Sequence, residues 1–420
     1  MLDLRRIRED PEGVREALAR RGPTDGLDRV LELDGRARDL RPRLETLAAA
    51  RNRASQDIAQ AKRAGGDAAQ AIAEQRELAA QERELSALVA AAEEERLAAL
   101  VPLPNLPASD AAQNDLVLRE VGEPAMPVPS PRDHLELAGA MIDTDHGARL
   151  SGSRFAYLRG DLVLVELALV RWTLELLRGR GFEPVIPPVL VRERALYGTG
   201  FLPDTEQQIY RLPEDELYLV GTSEVALASL HDGEILDADS LPLRYAGFSP
   251  CFRREAGAAG RDTRGIFRVH QFDKVEMFSL VAPEDSEGEH ERILAVEEEI
   301  MAALGIPYRV VNIAVGDLGN SAAKKYDIEA WLPAQGRYRE LTSCSNTTDY
   351  QARRLDIRLR APGRRPEILH TLNGTAVAVG RTLIALLENG QREDGSVALP
   401  ACLVEWGSPA VLRAPTAAAG

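Results

Sequence analysis

A cation, an aromatic ring and a carboxylate alternate along one strand-like segment of the chain. Successive side chains of a strand point to opposite faces, so a single strand here would place five side chains on one face. They are Arg268, His270, Phe272, Lys274 and Glu276. Such a face could serve a phosphate, a flat base and an amino or hydroxyl group in turn. It could equally be a solvated face whose charges pair across the sheet, and this segment alone leaves both interpretations open.

The same segment forms the second half of a predicted β-hairpin. A first strand-like run covers residues 243–255, and a glycine-rich loop over 256–265 carries Arg261-Asp262-Thr263-Arg264 before the second strand over 266–280. Two strand-like runs separated by a glycine-containing loop are typical of a hairpin. We therefore expect the charged loop to lie at one end of the chemistry-bearing face.

Three segments resemble, in order, the three signatures of class II aminoacyl-tRNA synthetases. Phe252-Arg253-Arg254-Glu255, with the loop and strand after it, resembles the second signature. A helix predicted over 161–178, followed by Gly181-Phe-Glu-Pro-Val-Ile-Pro-Pro188, resembles the first, which ends in a dimer-interface proline, here Pro188. Gly380-Arg381-Thr382, at the head of an apolar helix, resembles the third.

Four further strings make the chain similar to the bacterial-type seryl-tRNA synthetase family. They are Thr222-Ser223-Glu224, His270-Gln-Phe-Asp-Lys-Val-Glu276, Arg339-Glu-Leu-Thr-Ser-Cys-Ser-Asn346 and His370-Thr-Leu-Asn-Gly-Thr375. An N-terminal helical hairpin is an appendage of the same family, so the resemblance covers nearly the whole chain. Each string is weak evidence alone, but together and in order they are specific.

The resemblance implies an ATP site with three catalytic arginines. It assigns the α-phosphate to Arg253 and the adenine amino group to Glu255, with Phe272 stacked under the adenine ring. It assigns the outer phosphates to Arg268 and Arg381. These residue types suit the reaction, because attack on phosphorus needs positioning and neutralisation of growing negative charge rather than a protein nucleophile.

A metal site and a serine pocket are implied in the same way. Glu340 and Ser343 would coordinate Mg²⁺ bridging the phosphates. Four residues would line the serine pocket, with Glu276 meeting the substrate hydroxyl: Thr222, Glu224, Glu276 and Thr375. No HExxH string or cysteine–histidine cluster occurs in the sequence, so we expect no zinc.

The implied reaction joins L-serine to tRNA in two steps. The serine carboxylate attacks the α-phosphorus of ATP to give seryl-adenylate and pyrophosphate, and the seryl group then passes to the 3′ end of tRNA. The implied partners are tRNA(Ser) with its long variable arm, tRNA(Sec) as a further candidate, and a second copy of the chain through the segment ending at Pro188. Two other functions stay open: a duplicated paralogue serving inhibitor self-resistance or a biosynthetic pathway, and a catalytically inactive RNA-binding protein.

The elements that must position these residues indicate an α+β fold. Helical patterns cover 161–178, 287–304 and 381–388, and the strand-like runs between them mostly follow one another. That order predicts an antiparallel sheet flanked by helices rather than a parallel nucleotide-binding sheet. Neither GxxxxGK[ST] nor GxGxxG is present, which agrees with this fold class.

The N-terminal part of the chain has a heptad pattern. Spacings of four and three alternate over residues 33–61 and again over 71–99, on either side of Gly65-Gly66. This predicts an antiparallel coiled-coil arm over about 27–100. Pro42 lies inside the first stretch, where it either kinks the helix or marks the start of its long segment.

Charge is divided between the two legs of this arm. Residues 36–63 carry a net charge of +5, whereas residues 67–95 carry −6. The legs could attract each other across the hairpin, or the basic leg could follow a phosphate backbone. The chain is thus predicted to comprise a tRNA-binding domain, 1–110, and a class II catalytic domain, 111–420.

Composition narrows the class of protein further. The 420 residues carry a formal net charge of −15, which argues against a generic basic nucleic-acid binder but not against RNA at a local basic strip. Three widely spaced cysteines suit a reducing cytoplasm. Because no apolar run approaches the ~20 residues needed to cross a bilayer, we expect no membrane association.

Overall fold

The structure is a computed structural model that describes residues 1–23, 25–65, 67–203, 208–256, 260 and 262–414. The chain forms two compact units, one of residues 2–103 and one of residues 104–420 together with Met1. The Gly65-Gly66 break and the predicted loop over 256–265 each fall partly outside the described residues.

Four helices are described in the N-terminal unit: α1 (Leu4–Glu9), α2 (Pro11–Ala19), α3 (Asp25–Arg63) and α4 (Ala69–Leu100). Asp3 and Asp10 cap α1 and α2, because their side chains accept backbone N–H bonds in the first turn. With 39 and 32 residues, α3 and α4 span about 58 and 48 Å at about 1.5 Å per residue.

The heptad seam of the arm is confirmed. α3 and α4 pack along each other, and none of the nine predicted seam positions on either helix is exposed. On α3 these are Leu33, Ala37, Leu40, Leu44, Leu47, Arg51, Ala54, Ile58 and Ala61. On α4 they are Ala71, Gln75, Leu78, Glu82, Leu85, Val89, Ala92, Arg96 and Ala99.

Pro42 lies in the interior of α3, which begins at Asp25. The alternative in which Pro42 starts the long segment is therefore wrong. The hydroxyl of Thr46 donates a hydrogen bond to the carbonyl oxygen of Pro42 at 2.8 Å.

Opposite charges meet across the arm. Four arginines of α3 form ion pairs with glutamates of α4: Arg29 and Arg36 with Glu95, Arg41 with Glu93, and Arg51 with Glu82. Exposed pairs of this kind stabilise a protein by at most about 1 kcal/mol each. Five other cations of α3 are exposed and form no ion pair with any residue that the structure describes. They are Arg38, Arg43, Arg53, Lys62 and Arg63.

An eight-stranded sheet organises the larger unit, and it confirms the predicted fold class. In spatial order its strands are β1 (Leu116–Val121), β11 (Tyr308–Asn312), β12 (Lys324–Leu332), β13 (Arg337–Thr348), β16 (His370–Ala378), β10 (Gln271–Val281), β9 (Leu243–Phe252) and β4 (Glu183–Val185). Every neighbouring pair is antiparallel except β4 and β9, which are parallel.

Three helices pack against the central strands: α7 (Asp161–Gly179), α10 (Ser286–Leu304) and α12 (Val379–Gly390). Each lies within two residues of its predicted bounds. They share one hydrophobic core with Val275 and Met277 of β10. Because side chains alternate across a strand, Lys274 and Glu276 face away from this core, and the candidate site lies on their side of the sheet.

Shorter elements complete the larger unit. The helices are α5 (His134–Ala138), α6 (Thr144–Ser151), α8 (Glu193–Thr199), α9 (Glu224–Ala228), α11 (Tyr350–Leu355) and α13 (Ala401–Val404). The strands are β2 (Ile142–Asp143), β3 (Tyr157–Leu158), β5 (Leu190–Arg192), β6 (Arg211–Leu212), β7 (Leu217–Leu219), β8 (Ile235–Asp237), β14 (Arg358–Arg360), β15 (Glu367–Ile368), β17 (Val397–Ala398) and β18 (Val411–Leu412). Among the described residues, no helix combines the length and apolar character needed to cross a membrane.

Candidate active site

One cavity of about 280 Å³ is lined by all eleven side chains that the sequence predicts for nucleotide, metal and serine. They are Thr222, Glu224, Arg253, Glu255, Arg268, Phe272, Glu276, Glu340, Ser343, Thr375 and Arg381. These residues come from β10, β13 and β16, from the first turns of α9 and α12, from the segment just before α9, and from segments beside β9 and β10. The antiparallel sheet therefore brings together side chains that are far apart in the sequence.

The strand that carries the predicted face is shorter than the alternation suggests. β10 begins at Gln271 rather than at residue 266, so the prediction that Arg268 and His270 belong to this strand is wrong. Phe272, Lys274 and Glu276 do share a face, and all three line the cavity. Arg268 lines the same cavity from the segment that precedes the strand.

Arg253 follows the end of β9 and lies beside the ring of Phe272. Its guanidinium carbon is 5.3 Å from the ring centroid, and its Nε donates to the carbonyl oxygen of Gly221 at 3.2 Å. The carbonyl oxygen of Arg253 lies 2.9 Å from Nδ1 of His270. His270 thus contacts the hairpin backbone and is not among the residues that line the cavity.

Glu255 and Arg268 form a direct ion pair. Nη1 of Arg268 donates to Oε2 of Glu255 at 2.7 Å. The backbone of Glu255 has a φ of 51°, which is the left-handed region that non-glycine residues rarely adopt. Strained residues of this kind cluster at functional sites, which agrees with a role for Glu255 in ligand binding.

Glu340 and Arg381 form a second pair within the cavity. Nη1 of Arg381 donates to the carbonyl oxygen of Glu340 at 3.0 Å and to its Oε1 at 3.1 Å. Partial burial favours the protonated form of Glu340, but the charges of Arg381 and Lys325 outweigh it and lower the pKa of this carboxyl. Glu340 is therefore ionised at neutral pH, as a ligand for a cation must be.

Beside Glu340, oxygen groups suited to a hard cation converge. The hydroxyl of Ser343 donates to Oδ1 of Asp327 at 2.6 Å, and Nζ of Lys325 lies 3.5 Å from the same oxygen. Burial raises the pKa of Asp327 to about 6. The described residues contain no group of three or more histidine, cysteine, aspartate or glutamate side chains that could hold a metal ion. Mg²⁺ typically takes only one or two carboxylates and completes its shell with water and substrate phosphates, so Glu340 and Ser343 fit it.

Glu276 is fully buried and accepts hydrogen bonds from three side chains. Oε1 accepts from Nδ2 of Asn373 at 3.2 Å, and Oε2 accepts from the hydroxyl of Thr375 at 3.3 Å. Nζ of Lys274 also pairs with Oε2. A buried carboxylate with several donors is well suited to bind a substrate hydroxyl, because that hydroxyl can replace or add a donor without loss of pairing.

Glu224 lies beside Glu276 and shares one of its partners. Its Oε1 accepts from Nε2 of Gln351 at 2.8 Å, and its Oε2 lies 3.4 Å from Nδ2 of Asn373. The backbone N–H of Glu224 donates to the hydroxyl oxygen of Thr222 at 3.2 Å. Burial, together with the charge of Glu276, raises the pKa of Glu224 from 4.5 to about 7.

This raised pKa predicts a pH-dependent stability for the ligand-free protein. Between pH 4.5 and about 7 the folded protein keeps the Glu224 proton that the unfolded chain has lost, so the free energy of unfolding falls as pH rises through this window. The variant Glu224→Gln has no carboxyl group at this position, so its free energy of unfolding does not fall in this way. We expect its stability relative to the unmodified protein to increase by roughly 3 kcal/mol between pH 5 and pH 8. Denaturant unfolding of both proteins across that range measures the difference, and parallel curves would contradict the raised pKa.

Several site residues were not assigned a role from the sequence. Lys274 and Asn373 lie within the sequence strings that resemble the family. Strand alternation could have indicated both, because Lys274 lies two residues from Glu276 on β10 and Asn373 lies two residues from Thr375, which pairs with Glu276, on β16. Lys325 and Asp327 lie on β12, and Gln351 lies on α11. No local pattern distinguishes these three, since they reach the site only through the pairing of distant strands and helices.

Two family models match the chain. The model described as the seryl-tRNA synthetase N-terminal domain matches residues 1–107, and the tRNA synthetase class II core domain (G, H, P, S and T) matches residues 208–390. The chain is 49% identical over 418 residues to the serine–tRNA ligase of Thermobifida fusca, covering 96% of both chains. It is 50% identical over 419 residues to that of Rubrobacter xylanophilus, covering 97% of both.

Two solved structures are also similar to the chain over nearly its full length. The chain is similar to seryl-tRNA synthetase from Pyrococcus horikoshii complexed with ATP, with a TM-score of 0.93, 40% identity, and coverage of 99% of this chain and 100% of that one. It is also similar to the cytoplasmic serine–tRNA ligase of Naegleria fowleri in complex with AMP, with a TM-score of 0.88, 32% identity and coverage of 99% of both chains.

Proposed function

The chain belongs to the seryl-tRNA synthetase family, ligases that activate serine with ATP and attach it to tRNA, and we propose that the cavity in front of β10 is where its reaction takes place. One observation carries this proposal: eleven side chains of the types the chemistry requires line a single cavity of about 280 Å³. No observation favours the alternative of a duplicated paralogue with a resistance or pathway role.

We assign the nucleotide to the arginine-bearing part of the cavity. Adenine stacks on Phe272, its amino group donates to Glu255, and Arg253 binds the α-phosphate. Arg268 and Arg381 bind the outer phosphates through their planar guanidinium groups, which match phosphate oxygens. The 5.3 Å between Arg253 and the Phe272 ring supports this assignment, because base and α-phosphate are close in a nucleotide. The ATP and AMP complexes of two similar structures also support it.

For the metal, we infer that Glu340 and Ser343 would hold Mg²⁺. Their oxygens fit a hard cation that keeps several waters and phosphate oxygens in its shell. When bound, Mg²⁺ supplies neutralisation of phosphate charge during phosphoryl chemistry.

Serine is assigned to the buried end of the cavity. Thr222, Glu224, Glu276 and Thr375 line the pocket, and Glu276 accepts a hydrogen bond from the substrate hydroxyl. The serine carboxylate then attacks the α-phosphorus while Arg253 neutralises the developing charge. Pyrophosphate leaves, and the seryl group passes to the 3′-terminal ribose of tRNA.

Two assays on one preparation test this function. Serine-dependent ATP–pyrophosphate exchange measures adenylate formation, and charging of tRNA with a long variable arm measures transfer. Both activities are expected. Absence of exchange with serine would overturn the assignment of the pocket, whereas exchange without charging would favour the pathway paralogue.

We further infer that the arm binds tRNA(Ser), with tRNA(Sec) as a second candidate substrate. Part of the basic leg neutralises the acidic leg, but Arg38, Arg43, Arg53, Lys62 and Arg63 are exposed without an ion-pair partner among the described residues. Unpaired cations along a helix are suited to contact a phosphate backbone. In this assignment residues 1–110 form the tRNA-binding domain and residues 111–420 the catalytic domain.

Deletion of residues 27–100 is expected to spare serine-dependent exchange and to impair tRNA charging strongly. The residues of the proposed active site all lie beyond position 200, so adenylate formation does not need the arm. A sharper variant is Arg43→Glu with Arg53→Glu, which should lower kcat/KM for tRNA by about tenfold or more.

A matched variant on the other leg controls for general effects of charge reversal. Arg76 and Arg83 are the exposed cations of the acidic stretch on α4, and Arg76→Glu with Arg83→Glu should affect charging much less. If charging survives both the deletion and the Arg43/Arg53 reversal, the arm is not the tRNA contact.

We also infer a homodimer in the cytoplasm, formed through the segment that ends at Pro188. Apolar side chains are exposed along this part of the molecule: Leu164 and Leu167 on α7 are 48% and 58% exposed, and Ile186 is 82% exposed. Clustered exposed apolar residues are typical of an interface. Sedimentation equilibrium tests this inference, and a mass of one chain would contradict it.

A further inference from the structure

Arg339 lies next to Glu340 on β13 but is not among the residues that line the cavity. Its guanidinium carbon is 3.9 Å from the ring centroid of Phe267. Its Nη2 donates to Oδ2 of Asp262 at 2.9 Å, and its Nη1 donates to Oε1 of Gln335 at 2.6 Å. The side chain is only 15% exposed. Arg339 is thus held on three sides by protein groups.

Phe267 carries a second guanidinium. Phe267 is buried, with 8% of its surface exposed. The centroid of its ring lies 4.7 Å from the guanidinium carbon of Arg381. A guanidinium over an aromatic face is attracted by the ring's negative electrostatic potential. The same buried ring therefore fixes both Arg339 and Arg381.

Asp262 completes the connection to Arg268. Its Oδ2 lies 3.8 Å from Nε of Arg268 as well as 2.9 Å from Nη2 of Arg339. Nε of Arg268 is buried and has no hydrogen-bond partner in the described structure. Burial opposes ionisation of Asp262, but the hydrogen bond from Arg339 and the nearby charge of Arg268 keep its pKa below the usual value.

We propose that Arg339, acting through Asp262 and Phe267, is a positioning residue that sets the orientation of Arg268 and Arg381 before ATP binds. This inference rests on the proposed function, in which those two arginines bind the outer phosphates. Long side chains with several rotatable bonds lose much conformational freedom when a ligand orders them. Because Arg339 anchors Asp262 and Phe267, the two arginines are already partly ordered before ATP binds, and less conformational entropy is lost on binding.

Such a role affects only the part of the ligand that Arg268 and Arg381 contact. AMP contains the adenine ring and the α-phosphate but lacks the outer phosphates. Loss of Arg339 should therefore weaken ATP and pyrophosphate while leaving AMP and serine nearly unchanged. A loss of general structure would weaken all four ligands together.

The test compares Arg339→Gln with Arg337→Gln. Arg337 lies two residues earlier on the same strand and also has one positive charge near Asp262, but its hydrogen bond is to Gln335. Titration calorimetry with ATP and with AMP measures both affinities on the full-length protein. For Arg339→Gln we expect ATP to bind about tenfold more weakly, which corresponds to about 1.4 kcal/mol, with AMP changed by less than about twofold. Arg337→Gln should change neither by more than about twofold.

Further variants separate this inference from the proposed function. Arg268→Ala and Arg381→Ala should each weaken ATP more than AMP, and failure of both to do so would overturn the phosphate assignment itself. If Arg268→Ala and Arg381→Ala weaken ATP more than AMP but Arg339→Gln does not, the positioning role is wrong. Phe267→Tyr should retain ATP affinity because it keeps the ring, whereas Phe267→Leu should reproduce the selective loss. Equal weakening of ATP and AMP by Phe267→Leu would also overturn the inference.

Discussion

Replacement of Glu276 by alanine should reduce serine-dependent ATP–pyrophosphate exchange by about 10³-fold or more and narrow the preference for serine over alanine. A buried site that is built to pair with a substrate hydroxyl rejects the analogue lacking it by about 10⁴-fold or more, because its polar groups are then left unpaired. Glu276 is completely buried and accepts hydrogen bonds from Asn373 and Thr375. If Glu276 binds the serine hydroxyl as proposed, loss of its carboxylate removes both the favourable contact to serine and the penalty against alanine.

The ratio of kcat/KM for serine to that for alanine is the decisive measurement. Activity alone could fall because Lys274, itself buried, would lose its ion pair with Glu276. Glu276→Gln keeps the volume and one acceptor oxygen, and it should retain part of the preference. Glu297→Gln is a matched control, since Glu297 is an equally buried carboxylate of α10 that does not line the cavity. An unchanged serine-to-alanine ratio in Glu276→Ala would remove the proposed role.

Arg253→Ala should reduce the rate of adenylate formation by about 10³-fold. Loss of one preorganised group that stabilises developing charge typically costs about 10² to 10³ in rate, and Arg253 also lies against the Phe272 ring, so nucleotide binding should weaken as well. Single-turnover formation of seryl-adenylate measures the chemical step directly.

The adjacent Arg254 provides the control for this variant. It is exposed and does not line the cavity, so Arg254→Ala should leave adenylate formation within about threefold of the unmodified enzyme. A loss below tenfold in Arg253→Ala, or equal losses in the two variants, would show that Arg253 does not contact the reacting phosphate.

The arm was predictable from the sequence because its packing is local and periodic. A seam that repeats every 3.5 residues depends only on residues three and four positions apart, and all eighteen predicted seam positions are indeed buried or partly buried. Pro42 is the residue of the arm whose effect the sequence left open. Its fixed φ angle is compatible with a helix even though its missing N–H is unfavourable there, and the packing of α3 against α4 continues through it.

For the candidate site, the sequence predicts which residues line one cavity but not the contacts between them. The signatures contain many of the residues that line the cavity, yet the alternation of residue types predicts Arg268 on a strand that begins only at Gln271. Alternation of residue types cannot show where hydrogen bonding between strands starts. Partners such as Gln351 and Asp327 were missed for the related reason that strand pairing and helix packing, rather than nearby sequence, bring them to Glu224 and Ser343.

The ion pair between Glu255 and Arg268 has a consequence for the shape of the ligand. In the proposed assignment these two residues serve opposite ends of ATP, the adenine amino group and the last phosphates, yet their side chains touch at 2.7 Å. A nucleotide that satisfies both must curl so that its head approaches its tail. A fragment that carries only the adenine end or only the phosphate end would break the ion pair and leave either Arg268 or Glu255 without a partner. The binding free energy of intact ATP should therefore be more favourable than the sum of the binding free energies of the two fragments.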